Sequence, residues 1–281
     1  MSEFIQALGD HAFLRQALLA GVLASIACGV VGSYVVTRRI TAIAGSLAHT
    51  VLGGMGAAYW LRATRGWEWL HPLHGAVVAA LLGAVIIGAV RNTGKEREDT
   101  VISAMWAVGM ALGVMFLFQT PGYKADLMTY LFGNIVLVDP LALKMLIVLD
   151  VLILGLVILY HDALLAVCFD EEFARLRGLN VGALYTLLLA LTALTIVSLI
   201  YVVGIVMVIA LITLPVATAG RFTQRLWHTM IAAAVLSSLL TTVGLGISYG
   251  ADLPAGATIV LLAASVYVIV NTVDRFAHKR S

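Results

Sequence analysis

Few side chains in this sequence can do chemistry, and those that can lie where it is expensive. His49 stands in the middle of an apolar stretch, with Ser46 and Gly53 on its helical face at i−3 and i+4 and Thr50 beside it. A neutral imidazole beside hydroxyls and a glycine furrow can offer a nitrogen to a transition metal arriving by a polar path. The same ring can instead make a helix-to-helix hydrogen bond. Asp150 lies at the centre of Val148-Leu149-Asp150-Val151-Leu152, with no basic residue within a helical turn. An ionisable group in a membrane span costs about 2.5 to 3.5 kcal/mol on insertion scales, so this carboxylate needs a cation, a proton or a donor from another helix. The depth of Asp150 resembles that of His49, and one shared site is a candidate arrangement. A protonated Asp150 capped by a hydroxyl is the alternative. Lys144, near the end of the same stretch, can snorkel.

Three further places qualify. Asp252 precedes Leu253-Pro254-Ala255-Gly256, where proline and glycine stop one helix and set up the next. It can cap the new N-terminus or form a cation-attracting outer mouth. His71 and His74 could scavenge metal, although exposed loop histidines usually do nothing specific. Phe169-Asp170-Glu171-Glu172-Phe173-Ala174-Arg175-Leu176-Arg177-Gly178 predicts a short amphipathic helix. Phe169, Phe173 and Leu176 share one face, acids lead, arginines follow and Gly178 ends it, the charge order a helix dipole favours. Such a helix is a handle for a soluble partner or a plain surface connector. Ala89 stands where a phosphate loop ending at Gly94-Lys95 needs its first glycine, and no H-E-x-x-H motif is present. Cys28 and Cys168 are far apart in unlike settings and give no disulfide framework.

The elements that position these residues are set by composition. Of 281 residues, 62% are apolar and 11% charged, and the mean hydropathy is +1.03. A soluble enzyme and a disordered chain are both excluded. Apolar runs of about 20 residues, each able to cross a hydrocarbon core, recur along the chain. They predict spans near Phe13 to Val36, Ile40 to Leu61, Leu73 to Val90, Thr100 to Phe118, Pro140 to Tyr160, Val181 to Leu199, Val202 to Ala219, Trp227 to Ser248 and Ala257 to Val273. The division at Tyr201 to Gly204 is the least distinct. The first run is too long for a signal-peptide core and is expected to be retained.

Arg38 and Arg39, then Arg91, Lys95 and Arg97, then Arg175 and Arg177, then Arg221 and Arg225, then Arg275, Lys279 and Arg280 all fall on one side of such a bundle. By the positive-inside rule that side is cytoplasmic. Arg62, Arg65 and Lys124, with Trp67 and Trp69, fall opposite. The expectation is an all-α polytopic membrane protein of about nine transmembrane helices, N-terminus outside and C-terminus cytoplasmic. Residues 1–281 form a single transmembrane domain, with a cytoplasmic helix near 167–178. The net charge of +2 gives no reason to expect a nucleic-acid partner. The 26 glycines suit close helix packing in lipid, and no internal repeat is evident.

Four segments together resemble the membrane permeases of bacterial ABC importers for zinc, manganese and iron. Arg38-Arg39-Ile40 followed by Ser46-Leu47-Ala48-His49-Thr50-Val51-Leu52 is similar to a basic pair leading into a D-x-L-x-H-x-V-L stretch. Asp126 to Ile135 contains the Y-L-F-G segment, and Phe169 to Arg175 with Gly178-Leu179 resembles the cytoplasmic coupling segment. Gly204 to Val208, Leu214 to Ala219 and Asp252 to Gly256 resemble the C-terminal signatures.

The resemblance implies a multi-pass permease domain in the bacterial inner membrane, paired with a second permease copy as a homodimer and surrounded by membrane lipid. An extracytoplasmic metal-binding protein would deliver a divalent transition metal as transported substrate, with no permanently bound cofactor. A cytoplasmic ABC ATPase subunit would hydrolyse ATP and grip Phe169, Asp170, Glu171, Ala174, Arg175 and Gly178. His49 matches the family's histidine ligand. Gly45 stands where the family usually has an Asp four residues before that histidine. Loss of that oxygen ligand mildly favours zinc over manganese and leaves Asp150 a charge to supply. The competing expectations are an ion-coupled secondary transporter using Asp150, and a permease for a metal chelate.

Overall fold

The computed structural model describes residues 2–94, 96–121 and 140–278. The segment Asp126 to Ile135, with Lys95, Lys124, Lys279 and Arg280, lies outside the described residues. Among the described residues every regular element is a helix. In chain order these are α1 (Ser2–Asp10), α2 (Ala12–Arg38), α3 (Thr41–Arg65), α4 (Pro72–Thr93), α5 (Glu98–Gln119) and α6 (Pro140–Phe169). They continue with α7 (Glu171–Leu176), α8 (Val181–Val203), α9 (Ile205–Ala219), α10 (Leu226–Ala251) and α11 (Ala255–His278). Helix is the expected answer where no water can satisfy the backbone.

Seven helices, α2, α4, α5, α6, α8, α10 and α11, are long and apolar enough to cross a membrane, and α9 contributes the shorter apolar helix Val208–Ala219. α3 has the length, 25 residues, but not the apolarity. Most helices overrun the apolar stretches at one or both ends, because hydropathy marks the hydrocarbon while the helix runs on into the interface. Large apolar side chains such as Val78, Leu82, Val85 and Ile86 of α4 and Leu261, Val268 and Ile269 of α11 are exposed. In water such faces would be aggregation patches; hydrocarbon is their solvent. The indistinct division between α8 and α9 falls at Gly204, whose φ of 80° and ψ of 168° belong to a region open essentially to glycine. α1 was not foreseen, since nine residues carry no hydropathy signal. Its Phe4 and Ala7 are buried, and the Phe4 ring meets Tyr249 of α10 at 6.0 Å.

The chain forms two compact units. The first comprises Met1–Val36, Met128–Val151 and Leu199–Ser281; the second comprises Thr37–Leu127 and Leu152–Ser198. In the first, α9, α10 and α11 pack on one another and α1 lies on α10. Cys28 Sγ of α2 donates to the Leu211 carbonyl at 3.0 Å, and the Ser25 and Thr241 hydroxyls meet at 3.1 Å. Cys28 therefore has a packing role. Arg221 joins the end of α9 to α11 through Asp274 at 2.8 Å and Asn271 at 2.6 Å.

In the second unit α3 packs against both α4 and α5. The α3–α5 contact is a backbone-to-backbone approach. A Cβ on Gly53 would lie 3.0 Å from the Gly109 carbonyl oxygen, and one on Gly109 would lie 2.7 Å from Thr50 Cα. Small residues at such a seam replace the hydrophobic drive that lipid cannot supply.

Candidate functional site

The α3–α5 seam positions His49. Ile102, Trp106, Gly109 and Gly113 follow one another on α5 at helical spacing and line a single face. The Ser46 hydroxyl donates to the Ile102 carbonyl at 2.9 Å, and the Thr50 hydroxyl donates back to the Ser46 carbonyl at 2.9 Å. Both hydroxyls are thereby committed to helix contacts. The imidazole of His49 stacks on Trp106, with ring centroids 4.9 Å apart and planes at 25°. It is half-buried, and its buried Nδ1 has no hydrogen-bond partner among the described residues. A buried, unpartnered imidazole nitrogen is uncommon in a folded protein and is available for a cation to use. Gly45, the position of the missing carboxylate, is buried one turn earlier on α3.

Asp150 is 3% exposed, while Val148 and Val151 beside it are 66% and 67% exposed. It shares the inward face of α6 with the buried Leu146, Leu149 and Ile153. Neither carboxylate oxygen has a hydrogen-bond partner among the described residues. His49 belongs to the second compact unit and Asp150 to the first. Among the described residues no cluster of three or more His, Cys, Asp or Glu side chains is assembled.

Asp252 caps the helix before it rather than the one after. It ends α10 in the left-handed region at φ 51°, with its N–H donating to the Ser248 carbonyl. Leu253 N–H donates to the same oxygen at 3.1 Å, and Ser248 Oγ donates to the Leu253 carbonyl at 2.6 Å. Asp tolerates left-handed backbone better than most residues. The carboxylate remains at an exposed residue. His71 and His74 form a reciprocal cap at the start of α4: His71 Nδ1 accepts from Leu73 N–H at 3.3 Å and His74 Nδ1 accepts from His71 N–H at 3.1 Å.

α7 occupies Glu171–Leu176. Asp170 caps it by accepting from Phe173 N–H at 2.9 Å, and Gly178, at φ 78°, terminates it. Ala174 is fully buried against Val167, Val181 and Leu184. Phe169, Phe173 and Leu176 are exposed, and so is Arg175. Glu171 does not join them. Its Oε1 is held by both Arg38 and Arg91. The Arg91 guanidinium lies 3.8 Å above the Tyr185 ring, and the Tyr185 hydroxyl donates to Glu98 Oε1 at 2.7 Å. Sequence reasoning took Arg91 only as a side marker and Arg38 as a side marker and half of a basic pair, and it overlooked Trp106, Tyr185 and Glu98. Pairings across 57 to 133 positions leave no local spacing to find.

Comparison with known proteins follows the same line. The chain is 40% identical over 254 residues to a Chlamydia trachomatis protein named "Probable metal transport system membrane protein", across 90% of this chain and 86% of that one. It is 31% identical over 269 residues to the manganese transport system membrane protein MntC of Halalkalibacterium halodurans, across 96% and 90%. Among solved structures it resembles "PsaBC from Streptococcus pneumoniae in complex with Fab", with a TM-score of 0.85 and 29% identity over 96% of this chain and 94% of that one. Residues 10–274 match the ABC 3 transport family, and with so much of an all-helical, lipid-facing chain inside that match, the protein belongs to this family.

Proposed function

We propose that this chain is the membrane permease subunit of an ATP-driven importer of divalent transition-metal ions. The observation that carries the proposal is His49: a stacked imidazole whose buried Nδ1 has no hydrogen-bond partner among the described residues, on a membrane-length helix. Its role in this reading is passage, with ATP hydrolysed on a separate subunit. An extracytoplasmic protein delivers the ion, Asp252 lies at the outer mouth, and His49 and Asp150 are separate waypoints on the route. The N-terminus is outside, and α7 presents Phe169, Phe173, Leu176 and Arg175 to a cytoplasmic ATPase. A second copy of the permease completes the passage. Manganese, the ion in the name of the MntC relative, and zinc, favoured by the missing carboxylate, are the ions to test first.

ATP hydrolysis on the partner shifts the permease between outward and inward access, and a waypoint of one imidazole holds the ion loosely enough to release it. The test is uptake of Mn2+ and Zn2+ by proteoliposomes holding the permease and its ATPase. Uptake should require ATP, and H49A should lower it at least tenfold while the ATPase stays bound. Full uptake by H49A removes His49 from the route. Uptake that survives ATP depletion but stops with an uncoupler replaces the proposal with an ion-coupled transporter.

A further inference from the structure

The short helix α7 has two faces with different partners. Outward, Phe169, Phe173 and Leu176 are exposed apolar side chains suited to a soluble subunit. Inward, Ala174 is buried, and Glu171 meets two guanidinium groups on one oxygen. The Asp170 cap, the Gly178 stop and the packing of Ala174 already suffice to define a helix this short. Glu171 is not needed for the dipole either, because Glu172 beside it occupies the same first turn and is exposed. Its double pairing therefore calls for a different explanation.

The two arginines stand at particular places. Arg38 is the last residue of α2 and lies three residues ahead of Thr41, the first residue of α3; the link between them runs through Arg39 in the left-handed region at φ 60° and a buried Ile40. His49 follows eight residues into α3, about 12 Å along its axis. Arg91 lies two residues from the end of α4, the helix that packs along α3. From Arg91 the contacts continue to Tyr185 near the start of α8 and, through its hydroxyl, to Glu98 at the start of α5. The side chains of Arg38, Arg91 and Glu171 are 19%, 27% and 23% exposed, so the charges are partly shielded. Charge-assisted bonds in such a setting are stronger than those of an open surface pair and hold a fixed geometry. A displacement of α7 thus reaches the end of α4 and the end of α2, from which the Arg39–Ile40 link leads into α3, through one carboxylate.

We propose that Glu171 is a positioning residue that transmits movement of α7 to α3 and α4, and that it is not part of the face that docks the ATPase. This deepens the importer reading and rests on it. Pulling Glu171 draws Arg38 and Arg91 together, moving the pair of helices beside His49; without the carboxylate, α7 can move while α3 stays in place.

The experiment measures ATP hydrolysed per Mn2+ imported by the reconstituted permease–ATPase complex, with ATPase retention followed by co-purification. E171Q should retain the ATPase and hydrolyse ATP within about twofold of the unaltered complex, yet raise the ATP-to-ion ratio at least tenfold. R38Q and R91Q should raise the ratio in the same direction, E171Q/R91Q should be no worse than E171Q, and E171D should recover part of the coupling. E172Q, on the exposed neighbour, should leave the ratio unchanged. An unchanged ratio in E171Q overturns the proposal, and so does release of the ATPase by E171Q, which would make Glu171 a docking residue. If E171Q does not accumulate in the membrane, E171D decides: the shortened carboxylate should raise the ratio, and an unchanged ratio overturns the assignment. Failure of the importer reading is distinguishable, because the unaltered complex would then import nothing with ATP.

Discussion

Replacing Gly109 by alanine probes the seam that places His49. The added Cβ would lie 2.7 Å from Thr50 Cα and 2.8 Å from both Thr50 N and the His49 carbonyl oxygen. Ordinary contact begins at 3.4 Å, and all three neighbours are backbone atoms, so no rotamer change relieves the overlap. α3 must retreat from α5 by roughly 0.7 Å. Overpacking of this kind costs about 1 to 3 kcal/mol, and a gap of this size forfeits roughly a quarter to a half of the dispersion energy of the pairs it separates. Alanine returns about 1 kcal/mol of helix propensity. G109A should therefore lose up to about 2 kcal/mol net. Gly155 is the control: it is exposed on α6 with nothing within 4 Å of an added Cβ. G155A should gain about 0.5 to 1 kcal/mol. Unfolding of the detergent-solubilised proteins by SDS titration, followed by circular dichroism, measures both. If G109A is as stable as G155A, the close approach of α3 and α5 is not what holds the site together.

Three other perturbations address the remaining groups. D150N keeps the shape of the side chain and removes its charge, so metal uptake should fall at least tenfold with the yield of folded protein unchanged; undiminished uptake withdraws Asp150 from the route. F173A/L176A strips two exposed apolar side chains from α7, and co-purification of the ATPase should drop severalfold while thermal stability stays within about 0.5 kcal/mol, as for other surface changes. Retention of the ATPase at full level places the docking face elsewhere. D252G suits the left-handed cap and should leave stability level or higher, whereas D252V should lose about 1 to 2 kcal/mol. With limiting metal, D252G should also slow uptake severalfold, and full uptake would reduce Asp252 to a cap.

Much of the fold is legible in the sequence because lipid allows so few solutions. Apolar runs with glycine and arginine punctuation mark the helices, and Gly204 marks a break that hydropathy alone leaves indistinct. His49 and Asp150 stand out for the same reason, as polar groups in expensive places. What lies beyond is tertiary. Nothing near His49 in sequence announces Trp106, which reads as one more lipid-facing aromatic of an apolar helix. Asp252 stands between two helix ends and suits either, and only the spare carbonyl of Ser248 decides for the earlier one. Glu171 has the acidic position of a first helical turn, so its local pattern suggests a solvent-facing charge. Two arginines far away in the chain turn it inward.

The modest apolarity of α3 also bears on how the protein is made. A segment carrying an imidazole and a row of glycines has a weak claim on the bilayer when it leaves the ribosome. It gains shelter once α4 and α5 arrive to cover its seam. Biogenesis would then proceed by handing these three helices into the membrane as a hairpin-like group, and a nascent chain arrested before α5 would leave α3 able to slip back into water. The shelter of its polar groups is thus borrowed from neighbours synthesised later.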